Sequence, residues 1–101
     1  MREVTSKELK ELQIQGKKVL LDLYGSWCGP CKMLMPKLEQ LEPQHDSVVF
    51  VKMDVDKNVD FSLEMNVRSV PTVIIYNGDK VVNRSTGVNP GPFYSDILNS
   101  L

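Results

Sequence analysis

Two residues in this chain stand at a spacing that supports covalent chemistry: Cys28 and Cys31, separated by Gly29 and Pro30. Cysteines so spaced at the start of a helix can close a small reversible ring. The first thiol then lies at the helix N-terminus, where unpaired backbone N–H groups and the helix dipole stabilise a thiolate. A thiolate is the attacking species in disulfide exchange. Cys28 is therefore the candidate nucleophile. Cys31 lies one turn further in, on the buried face of the helix, placed to attack a mixed disulfide and release the reduced product. Pro30 suits a first helical turn because it donates no N–H and its φ is already helical. A C-x-x-C pair can also be half of a zinc site. Tetrahedral zinc needs four ligands, and beyond these two cysteines the chain holds only one histidine, His45. That histidine, near Pro43 and Asp46, reads as a solvated loop residue. A purely structural bridge is the other alternative, but closing so short a loop stabilises little.

The elements that must position this pair can be read along the chain. Lys7 to Leu12 reads as a short helix, with Thr5 and Glu8 spaced as a capping box and Gly16 as its break. Lys18 to Tyr24 reads as a strand whose near-continuous apolar positions predict cover on both faces. Gly25-Ser26 is a turn. The helix after it carries Cys31, Leu34, Met35, Leu38 and Leu41 along one expected buried stripe, with Pro36 predicted to kink it and Pro43 to end it. Ser47 to Asp54 reads as a second strand and Val59 to Met65 as a short helix, with Asn66 able to close it in a left-handed conformation. Thr72 to Tyr76 and Lys80 to Arg84 read as a hairpin turning at Asn77-Gly78. A last helix starts near Pro92, with Tyr94, Ile97, Leu98 and Leu101 on its apolar face. A strand–helix–strand unit followed by a hairpin predicts an α/β fold: a mixed sheet of about 4–5 strands with helices on both faces.

The 101 residues fit one domain, 1–101, with no repeat or linker. A formal net charge of −1 gives no reason to expect nucleic acid or an anionic membrane as partner. No apolar run is long enough to span a bilayer. The residues after Met1 lack the basic and apolar segments of a signal peptide, so the expected location is cytoplasmic.

Trp27-Cys28-Gly29-Pro30-Cys31-Lys32 resembles the active-site signature of the thioredoxin family. The resemblance extends over nearly the whole chain: Asp22 ahead of the cysteines, Pro36 after them, Val70-Pro71-Thr72 opening the third strand, and glycines at 78 and 87. It implies the thioredoxin fold and a protein disulfide reductase. Its partners would be disulfide-containing substrate proteins and a thioredoxin reductase, with no metal or tightly bound cofactor. Cys28 would attack the substrate disulfide and Cys31 would resolve the intermediate. Asp22, buried behind the cysteines, would assist proton transfer to or from Cys31. The residues agree: Asp22 interrupts an apolar strand, and a buried carboxylate should have a raised pKa. A strand-end aspartate reaching solvent is the alternative. The resemblance also places Lys52 near Asp22, although alone Lys52 reads as a surface lysine on an amphipathic strand. It makes Pro71 a cis-proline facing the site. Trp27, Gly29, Pro30, Val70, Pro71 and Gly87 would then form a shallow apolar surface for substrate.

The chain departs from the family pattern in places. Tyr24 and Gly25-Ser26 stand where many members carry a tryptophan and then Ala-Glu or Ala-Pro. The region before Lys18 is short, so a first strand is expected to be stunted or absent. The protein is expected to be a monomer. Two other readings fit the same residues: an oxidase or isomerase of this fold, and a binding subunit of a larger assembly.

Overall fold

The computed structural model describes residues 1–101. In chain order the elements are β1 (Arg2–Glu3), α1 (Ser6–Ile14), β2 (Lys18–Tyr24), α2 (Gly29–Leu41), a 3-10 turn (Glu42–Gln44), β3 (Val48–Asp54), α3 (Val59–Glu64), β4 (Thr72–Asn77), β5 (Lys80–Thr86) and α4 (Gly91–Asn99). They form one five-stranded sheet in the order β1-β3-β2-β4-β5. β1, β3 and β2 run parallel. β4 is antiparallel to β2, and β5 returns antiparallel to β4.

The central strand β2 explains why the sheet is covered on both sides. Leu20 faces a cluster built from Leu34, Leu38 and Leu41 of α2, Phe50 of β3 and Tyr94 and Leu98 of α4. Val19, Leu21 and Leu23 face a second cluster, with Val4, Leu9 of α1, Val51 and Met53 of β3 and Ile74 of β4. Successive strand residues point to opposite faces, so the unbroken apolar run of β2 supplies both cores at once. Asp22 follows Leu20 on the α2 side.

The local signals act as their chemistry requires. The capping box at α1 is formed: the Glu8 N–H donates to Thr5 Oγ1 at 3.2 Å and the Thr5 N–H to Glu8 Oε1 at 2.9 Å. Those contacts, the Thr5 backbone bond foremost, hold the Glu8 carboxyl below its ordinary value. Asn66 closes α3 with φ 54°. The first strand is stunted, as expected, at two residues. Other expectations shift. The hairpin loop is Gly78-Asp79, not Asn77-Gly78, because Asn77 still pairs with Lys80 and Gly78 takes φ 64°. β5 runs on to Thr86. A register irregularity beside Ile75 and Tyr76 leaves Val82 unpaired. α4 begins at Gly91, and Leu101 lies beyond its end, half-buried against the α2-side core.

Candidate active site

β2 ends at Tyr24, and the chain turns through Gly25-Ser26-Trp27, closed by the Cys28 N–H donating to the Gly25 carbonyl at 3.1 Å. Cys28 caps α2 with extended dihedrals, φ −91° and ψ 113°. The Cys31 N–H donates to Cys28 Sγ at 3.2 Å. The sulfur thus occupies the place of a capping oxygen and satisfies an N–H the helix cannot. The two cysteines are joined as a disulfide, with their Cα atoms 5.3 Å apart. Cys28 is 4% exposed and Cys31 1%. An N–H aimed at sulfur favours a thiolate once the bridge is reduced.

Asp22 is fully buried, and neither carboxylate oxygen has a hydrogen-bond partner. Burial pushes its pKa up to about 7; Lys52 pulls it down and Glu3 adds to the rise. The alternative of a strand-end aspartate reaching solvent is excluded by this burial. The parallel register sets Lys52 of β3 directly beside Asp22. Its ammonium does not bond the carboxylate. Lys52 Nζ lies 3.8 Å from Met35 Sδ and 5.9 Å from the centre of the Tyr24 ring.

Tyr24, Met35 and Lys52 line a cleft of about 400 Å³ beside Cys31, walled also by Ser26, Lys32 and Glu39. Met35, expected in the core stripe, is half-buried and belongs to this cleft instead. Position 35 lies at the edge of the stripe, where the helix turns away from the sheet. Tyr24 is fixed from the far side: its hydroxyl donates to Glu3 Oε1 at 2.6 Å, and Glu3 Oε2 accepts the Asp54 N–H at 3.2 Å. Burial first, then the bond to Glu3, drives the Tyr24 phenol far above its ordinary value.

On the other side of the sulfurs the Val70–Pro71 bond is cis. The Val70 carbonyl oxygen lies 3.7 Å from Cys28 Sγ. Pro71 is buried and its carbonyl accepts the Gly87 N–H at 2.9 Å, so both residues act on the surface through the backbone. Gly87 takes φ 79° there, which explains the glycine. The loop before Pro71 is held by Arg84, whose guanidinium donates to the Met65 carbonyl and, at 2.8 Å, to that of Asn66. Gly29, Pro30 and Trp27 are exposed.

Trp27 is 69% exposed, and its Nε1–H donates to Asp56 Oδ2 at 2.9 Å. Gly25 makes room for it: a Cβ there would lie 2.8 Å from Trp27 Cε2. Gly25→Ala should therefore displace the indole and break its bond to Asp56. The expected stability change is under about 1 kcal/mol, because the ring is at the surface. Fluorescence of this sole tryptophan reports it; an emission spectrum matching the wild type would refute the clash.

Sequence reasoning missed Glu3, Asp56, Arg84 and the cleft role of Met35, none of which carries a local signal. His45 lies in the loop before β3, as expected, partly exposed and with its ring 6.4 Å from that of Phe50, stacked at 29°. No three potential metal ligands cluster anywhere in the chain.

A reversible bridge at a helix N-terminus, backed by a buried carboxyl that ionises near neutrality, defines a thiol–disulfide oxidoreductase. The family model described as Thioredoxin matches residues 1–98. A thioredoxin of Mycoplasmoides gallisepticum is 41% identical over 99 residues, covering 97% of this chain and 99% of that one. Thioredoxin-2 of Saccharomyces cerevisiae is 39% identical over 85 residues, 84% of this chain and 82% of its own. Among solved structures, a point-mutant thioredoxin from Halobacterium salinarum superposes with a TM-score of 0.90 at 33% identity, covering 98% of this chain and 88% of its own. Plasmodium falciparum thioredoxin gives 0.89 at 28% identity, covering 100% of both. The chain belongs to the thioredoxin family, and its sheet and helices are the thioredoxin fold.

Proposed function

We propose that this protein reduces disulfides in other proteins. The observation that carries the reading is the Cys28–Cys31 bridge closed across the first turn of α2, with the Cys31 N–H pointing at Cys28 Sγ. In the reduced form the Cys28 thiolate attacks one sulfur of a substrate disulfide and expels the other as a thiolate. Cys31 loses its proton to the Asp22 carboxylate and attacks Cys28 Sγ. That step expels the second substrate thiolate and leaves the Cys28–Cys31 disulfide. Two electrons pass to the substrate, and an external reductase, in this reading a thioredoxin reductase, returns them. No metal or bound cofactor enters.

Trp27, Gly29, Pro30 and Val70 form the face that receives an extended substrate segment, with Pro71 and Gly87 fixing the backbone behind it. An extended chain can pair with exposed backbone polar groups there. The protein acts as a monomer and a single domain, in a compartment that supplies reductant. The cytoplasm is the proposed compartment, although one relative is named a mitochondrial thioredoxin. No helix is long and apolar enough to cross a membrane.

Dithiothreitol-driven reduction of insulin tests the activity. The expected result is precipitation of the insulin B chain well ahead of dithiothreitol alone. A folded protein that gives no acceleration would overturn the reductase reading.

A further inference from the structure

Lys52 and Asp22 are directly paired across the parallel ladder, yet they make no hydrogen bond. A buried carboxylate with two unpartnered oxygens is the natural destination for a flexible ammonium beside it. The Lys52 ammonium is instead drawn to a thioether and an aromatic ring, Met35 Sδ at 3.8 Å and Tyr24 with its ring centre at 5.9 Å. Both groups attract a cation weakly: the sulfur as a poor acceptor, the ring through its negative face. Tyr24 is itself anchored by its 2.6 Å bond to Glu3.

We propose that Met35 and Tyr24 are positioning residues that hold the Lys52 ammonium in the cleft and away from Asp22, leaving that carboxyl free to exchange its proton with Cys31. This rests on the proton-transfer role given to Asp22 above. The charged and titratable groups around Asp22 and the cleft are Glu3 from β1, Tyr24 from β2, Lys52 and Asp54 from β3, and Cys31, Lys32 and Glu39 from α2; the β4 partner, Val73, carries no charge. Of these, Lys52 alone lowers the pKa of Asp22, so the site of its ammonium sets how much. Pulled into contact, it would hold Asp22 ionised and block uptake of the Cys31 proton. Held at a distance, it moderates the effect of burial and no more.

The test follows the carboxyl carbon of Asp22 by NMR across pH in the oxidised protein, where the cysteines are bridged and do not titrate. Met35→Ala should lower the midpoint by about 1 pH unit, as expected when an opposite charge closes on a carboxylate. Tyr24→Leu should move it the same way. In a Lys52→Met background, where no ammonium remains, Met35→Ala should leave the midpoint in place. A midpoint unmoved by Met35→Ala overturns the proposal, and so does an equal fall without Lys52, which would mean simple hydration of the carboxyl. Should the alanine variant not fold, Met35→Leu keeps the bulk without the sulfur and is judged the same way. The titration needs no turnover, so its failure would leave the reductase reading standing.

Discussion

Cys31→Ser should turn the protein from a turnover catalyst into a single-use trap. Cys28 stays at the N-terminus of α2, where the N–H of residue 31 still points at its sulfur, since that contact uses backbone rather than the Cys31 side chain. It attacks substrate and forms the mixed disulfide as before. What is lost is the second attack, which is intramolecular. Well-placed groups of this kind act at effective concentrations far above millimolar external thiol, so multiple turnover should fall by ~10³-fold or more. A covalent complex with insulin chains should accumulate on a non-reducing gel and vanish with dithiothreitol. Cys28→Ser should lose turnover as well, but form no such complex. Trapping through Cys31 in that variant would reverse the two roles.

Asp22→Asn should make the protein markedly more stable above neutral pH and slower as a catalyst. The carboxyl has an ordinary value of 3.8 and about 7 in the fold, with burial as the leading cause. Between those values the unfolded chain gives up its proton while the native state keeps it. Native stability therefore falls as pH rises from about 4 to 7, then levels off. At ~1.4 kcal/mol per pH unit the interval corresponds to about 4 kcal/mol. The asparagine variant has no such proton to lose, so its gain should be near zero at pH ~4 and approach that figure at pH ~8. Urea unfolding at a series of pH values measures it. A wild type with no pH slope in this window would mean that Asp22 does not bear the cost of burial. Insulin reduction by the variant should slow by about 10²-fold near neutrality, the ordinary contribution of a positioned proton acceptor.

The parts of the fold that sequence disclosed are those whose physics is local. The apolar run of β2 had to be covered twice, and it is. Thr5 and Glu8 stand three apart and cap each other. Asn66 stops α3 in the left-handed region. The C-x-x-C pair was readable because the cysteines lie within one helical turn, whereas the place of Asp22 behind them came from the family resemblance, with which its break in an otherwise apolar strand agreed. The cleft was not readable. Tyr24 meets Glu3 only because β1 is laid beside β3, and Arg84 reaches the α3 terminus only because β5 returns along β4. Met35 obeyed the helical periodicity and still left the core, because periodicity assigns a stripe and not its edge. Gly25 gave a turn signal, and nothing in its neighbours said that an indole would lie over it.

The division of the core between two faces of one sheet separates chemistry from durability. Cys31, Asp22 and Lys52 lie on the side covered by α2, whereas the cluster around Val4, Leu9, Leu21, Met53 and Ile74 lies beneath, against α1. Distant substitutions with no shared contacts tend to add independently. The α1 part of the lower layer, Leu9 among it, can therefore change in sequence, or be reinforced, with the redox centre left as it is. A lineage carrying this fold has room to drift toward greater or lesser heat resistance while its electron-transfer chemistry stays fixed.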